Sequence, residues 1–130
     1  VPKTWMIAEY LRPFVRWRIN RADPSDGGRN ARAAIGLIDA AAYAMQTRDD
    51  VPAVARMTAA GCFAGGRFDP GAEGEAIIRG WHYDTPAGSP ADLLNLLAEA
   101  AERTRAVRPS GAGKALTARR PLLPRPRRGA

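Results

Sequence analysis

The sequence predicts an all-α fold: a small bundle of four or five helices over about residues 4 to 107, followed by a disordered basic tail over residues 108 to 130. Three observations carry this. Apolar residues recur at spacings of three and four through most of the first 107 positions. Asp or Ser residues, first-turn prolines and closing glycines stand at the ends of these stripes, where helix termini use them. From Pro109 onward Pro, Gly and Arg replace the apolar residues, so that segment has little with which to build a core. Residues 1 to 107 read as one helical domain and residues 108 to 130 as its tail.

The first helix spans about residues 4 to 19. Met6, Ile7, Tyr10, Leu11, Phe14, Trp17 and Ile19 follow helical spacing, Thr4 stands where an N-cap belongs, and Pro13 predicts a bend or break because proline lacks the N–H. Its other side carries Arg12, Arg16 and Arg18. The turn cluster ADPSDGGR, residues 22 to 29, separates it from a helix over residues 30 to 46. There Asn30 is the expected cap, the stripe Ala31, Ala34, Ile35, Ile38, Ala41, Ala42 and Met45 is the expected core face, and Gly36 is a local weakness.

Asp50 as N-cap and Pro52 in the first turn open a third helix whose Val51, Val54, Ala55 and Met57 face inward until Gly61 stops it. Asp69 and Pro70 repeat the device before a short helix through Ala76, Ile77 and Ile78, closed by Gly80. A loop covers residues 80 to 89. Ser89, Pro90 and Asp92 then form a capping-box-like start for a last helix over about residues 90 to 107, with Leu93, Leu94, Leu97, Ala100, Ala101 and Thr104 on one side.

Charge is segregated. Residues 108 to 130 hold seven basic groups and no acid, so the net charge of +7 lies there; residues 1 to 107 balance 13 basic against 13 acidic groups. Within that balance residues 1 to 32 are about +4 and residues 33 to 107 about −4. A positive end attracts a polyanion, and an acidic middle is also a surface onto which a basic tail folds back. Of the 20 basic residues 18 are Arg, a bias that GC-rich bacterial coding gives without selection for binding.

Most chemistries lack their residues. SGAGKAL contains Gly113 and Lys114, but a phosphate-binding loop needs a glycine where Arg108 stands and a Ser or Thr where Ala115 stands. One histidine, His82, and one cysteine, Cys62, do not make a zinc site. Nucleophilic catalysis reduces to a Cys62 and His82 dyad, and Cys62 beside Phe63 reads as a small core residue. Asp49 with Asp50 and Glu73 with Glu75 read as helix-terminus groups rather than acid and base pairs. Helices near 51 to 60 and 70 to 79 are joined by too many residues for a helix-turn-helix. No enzyme activity or cofactor is expected.

The expected function is that of a non-catalytic accessory or regulatory protein, cytoplasmic and without a membrane segment. It contacts nucleic acid non-specifically through Arg119, Arg120, Arg125, Arg127 and Arg128, helped by Arg16 and Arg18. The alternative is a helical protein interaction adaptor with a solvated tail, its partner another protein or a second copy packed on the Ala-rich and Trp-bearing helices. The spacing of Pro121 and Pro124 beside Arg125 also fits a polyproline ligand of an aromatic groove.

Overall fold

The computed structural model describes residues 1 to 82 and 88 to 107, with side chains placed through Arg105. The described residues contain five α-helices, one short 3-10 turn and no strand. They are α1 (Lys3–Arg21), α2 (Arg29–Gln46), α3 (Pro52–Ala59), α4 (Gly71–Gly80) and α5 (Pro90–Val107). Helices α1 and α2 form a long antiparallel pair, and α5 packs against α2, α3 and α4. The core lies between them, with Ile7, Leu11, Leu37, Val54, Met57, Ile78, Leu93 and Leu97 fully buried.

Helix α1 runs unbroken through Pro13, so of the bend or break expected there the break does not occur. The proline ring is exposed, and Leu11 and Phe14 on either side of it pack into the core, so tertiary burial offsets the one hydrogen bond that proline removes. Thr4 is not the cap; it is buried within the first turn, and Pro2 precedes the helix. The cap comes from across the molecule. Asp49, just beyond α2, accepts from the backbone N–H of Lys3 and of Thr4, each at 3.1 Å. Asp50 was the expected cap of α3, but Val51 proves to be the N-cap there without a side-chain bond, and Asp50 pairs with Arg48 at 2.7 Å.

Burial pushes the Asp49 carboxyl up, but the two backbone donors and Lys3 outweigh it and hold the group below its ordinary value of 3.8. A depressed carboxyl contributes stability that is fully present above its unfolded-state value and is lost as pH falls through the folded one. We expect Asp49→Ala to cost about 1 kcal/mol at pH 7. The difference from wild type should shrink as the pH is lowered below about 4, as read by urea denaturation at several pH values. A loss that is the same at every pH would contradict the capping role.

The turn between α1 and α2 caps itself. Asp23 accepts from the backbone of Ser25 at 2.7 Å while Asp26 accepts from the backbone of Asp23 at 3.1 Å, a reciprocal capping box. Gly27 and Gly28 then take left-handed backbone conformations, which only glycine enters without strain, and α2 begins at Arg29. Asn30 therefore sits inside α2 rather than capping it, and its side chain turns inward.

The rotation of α2 differs from the expected one. Its buried side is Ala33, Ala34, Leu37, Ala40 and Ala44, with Gly36 also enclosed, whereas Ile35, Ile38 and Met45 remain exposed. Small residues on the buried side let the α1 backbone approach closely, and the larger apolar stripe is left facing outward. In α3 the same correction applies to Ala55, which is exposed, while Ala53 is buried.

Gly61 ends α3 as expected, with φ +88°. The N–H of Cys62 returns to the Met57 carbonyl and that of Gly61 to the Thr58 carbonyl, both at 3.0 Å, a Schellman motif. At the start of α4, Asp69 accepts from the backbone of Gly71 at 2.9 Å, and Gly80 is the last helical residue. The start of α5 is as read: Ser89 Oγ accepts from the Asp92 backbone at 3.2 Å and donates to the Asp92 carboxylate at 2.7 Å. Between helices, Arg56 on α3 grips Glu102 on α5 through two bonds of 2.9 and 2.6 Å, and Arg103 on α5 pairs with Glu73 on α4.

Candidate functional site

The apolar residues that the core does not absorb collect on one side. Trp5 and Ile19 on α1 and Ile35, Ile38 and Met45 on α2 each keep about half of their surface exposed. Most of them border a groove of about 1130 Å³ between the two helices. Ala8, Val15 and Ala41 form its floor, and Glu9, Arg12 and Arg16 stand along the α1 rim. Arg12 Nη1 donates to Glu9 Oε2 at 3.0 Å, an exposed pair three residues apart. A contiguous apolar surface rimmed by polar groups is the usual character of an interaction site rather than of plain solvated surface.

Arg16 and Arg18 do not form one cationic face. Arg16 is exposed at the groove rim, whereas Arg18 is only 8% exposed and lies on the other side of α1. Its Nη1 donates to Asn30 Oδ1 at 2.9 Å and its Nη2 donates to the backbone carbonyl of Arg79. Asn30 is itself held, its Nδ2 donating to Asp26 at 2.9 Å, so the chain from turn to α2 to α1 to α4 is continuous. Trp17 lies 4.7 Å from the Arg18 guanidinium, and Arg79 stacks between Trp17 and Phe14. Burial first, and then Arg29 and Arg21, pull Arg18 below the usual guanidinium range. Both terminal nitrogens of its guanidinium are thus engaged within the fold, unlike those of a group standing at the surface. Arg119, Arg120, Arg125, Arg127 and Arg128 lie outside the described residues.

The reading of Arg18 as a surface group came from its chemical type. Its position was legible from spacing: Ile7, Leu11, Phe14 and Arg18 follow one another at four, three and four residues, so Arg18 ends the core stripe. The groove was legible only in part. The stripe from Ile35 to Met45 was seen, but it was assigned to the core.

The catalytic candidates stand apart from this groove. Cys62 is 4% exposed, and burial, reinforced by Asp69 and opposed by Arg105, pushes its thiol above the ordinary range. A nucleophilic cysteine needs the opposite shift. The cleft beside it, with Asp69 and Arg105 at its mouth, measures about 80 Å³. Tyr10 donates to Glu75 at 3.4 Å and is pushed up to about 12 by burial and by that carboxylate, which makes it a link between α1 and α4. Among the described residues no three His, Cys, Asp or Glu side chains gather as a metal site, and no helix is long and apolar enough to cross a membrane. No protein-family model, curated protein or solved structure matches the chain.

Proposed function

We propose that this chain is a non-catalytic interaction protein that works through the apolar face of α1 and α2. The observation that supports the reading is the half-exposed set Trp5, Ile19, Ile35, Ile38 and Met45 on two adjacent helices, all but Ile35 bordering one groove of about 1130 Å³. Covering such a face removes apolar surface from water, and each side chain of this size contributes on the order of 1 kcal/mol. A partner presenting a helical apolar surface supplies that cover. A photo-crosslinking residue placed at Ile38 in the full chain, in cells that express it, should yield protein adducts, whereas the same probe at the exposed Glu99 of α5 should not. Absence of protein adducts at Ile38 would overturn the reading.

A second reading is contact with nucleic acid, favoured by the concentration of all seven net positive charges in residues 108 to 130. Arg119, Arg120, Arg125, Arg127 and Arg128 supply the phosphate contacts, with Arg16 an exposed contributor on the helical body. Replacing the five tail arginines by serine in the full chain should flatten the log–log salt dependence of duplex binding by about 4. An unchanged slope would dismiss the tail as the binding arm.

A further inference from the structure

We propose that the groove on α1 and α2 is closed by a second copy of this chain, with α1 lying antiparallel to α1 of the copy across a two-fold axis that crosses the groove at the level of residue 10. This rests on the preceding reading that the face is an interaction surface, and it names the partner.

Spacing is the first ground. Along the groove side of α1, Trp5, Ala8, Arg12, Val15 and Ile19 follow one another at three, four, three and four residues, and Val1 lines the groove just before the helix begins. That 3.5-residue repeat is the seam of a helix that faces another helix. From Trp5 to Val15 the set is also the same in both directions about position 10, so an antiparallel copy sets Trp5 against Val15 and Ala8 against Arg12, a small residue opposite a long one. On α2, Ile38, Ala42 and Met45 continue at four and three. Two seams side by side on an antiparallel pair form half of a four-helix bundle, and the two-fold axis supplies the other half.

Charge is the second ground, and it is self-complementary. With the axis at the level of residue 10, Glu9 of one copy falls within one residue of the level of Arg12 of the second copy. The exposed Glu9 and Arg12 pair of each chain then closes into a ring of two acids and two bases. Trp5 falls within one residue of the level of Arg16 of the second copy, whose guanidinium can lie over the indole ring. An anionic membrane or a nucleic acid would instead meet Glu9 near the middle of the face. The charges thus favour a copy of the chain over a polyanion.

The test is sedimentation velocity on the full chain over about 1 to 200 µM, where a face of about a dozen residues per copy should give a reversible dimer with Kd on the order of 10 µM. Glu9→Arg alone and Arg12→Glu alone each set like charges against each other across the axis and should weaken the dimer at least roughly tenfold. Their equimolar mixture pairs opposite charges again and should restore it. Far-ultraviolet circular dichroism should show both variants as helical as wild type. A wild type that stays monomeric over the range overturns the proposal, as do variants that dimerise normally or a mixture that does not recover. Monomers whose Ile38 probe still captures another protein remove the second copy and leave the interaction reading standing. Monomers without protein adducts at Ile38 remove both. Monomers that float with phosphatidylserine vesicles overturn the proposal in favour of a membrane surface.

Discussion

Leu37→Ala is expected to destabilise the protein by about 3 kcal/mol, whereas Ile38→Ala, one residue further along α2, should change its stability by less than about 0.5 kcal/mol. Leu37 is completely buried against α1, and truncation leaves a cavity that helix backbones on both sides prevent from collapsing. Ile38 is half exposed at the groove, and alanine returns some helix propensity for the contact it removes. For a body of about 100 ordered residues the first change should lower Tm by more than about 10 °C. Thermal melts at high dilution, where a dimer is dissociated, compare the two. Equal losses would mean that α2 is rotated so that its larger stripe faces the core.

The second large effect is expected at Arg18. Removing its guanidinium in Arg18→Ala leaves the buried Asn30 Oδ1 and the partly buried Arg79 carbonyl without their donor, at a cost of about 2 to 3 kcal/mol. Arg18→Lys should recover little, because one ammonium on a flexible stem does not reproduce a planar fork that reaches two acceptors on different helices. Asn30→Ala breaks the same link from the other side, so the two losses should not add; a double-mutant cycle should return a coupling of about 1 kcal/mol. A loss under about 0.5 kcal/mol for Arg18→Ala would show that the strut carries no stability.

These two residues also mark what the sequence makes readable. The helical class, the left-handed end at Gly61 and the Ser89 cap follow from local rules, because a cap or a left-handed glycine acts within a few residues of itself; Gly80 closes α4 as its last helical residue. Which side of α2 is buried does not follow from local rules. Ala33, Leu37, Ala40 and Ala44 make one apolar stripe and Ile35, Ile38 and Met45 another, and periodicity finds both without ranking them. The ranking depends on the small side chains that let α1 approach, a property of the pair of helices. Asp49 failed for the same reason: its neighbours in sequence are at the start of α3, but the backbone it caps is Lys3 and Thr4, 46 and 45 residues away. Pro13 was misjudged because an isolated helix breaks where a packed one is held by Leu11 and Phe14. Of the candidate contacts, Arg16 keeps its exposed place and Arg18 becomes a strut between helices.

The buried thiol has a use that follows from its placement. Cys62 is the sole cysteine of the chain, enclosed just after the Schellman turn and next to Arg105. A thiol reagent reaches it only when the α3 end parts from α5, so the labelling rate divided by that of an unfolded peptide gives the equilibrium constant for this local opening. Because Cys62 does not border the α1 and α2 groove, the same clock runs whether or not that groove is covered. It thereby separates strengthening that spreads through the whole fold from strengthening confined to the α1 and α2 pair.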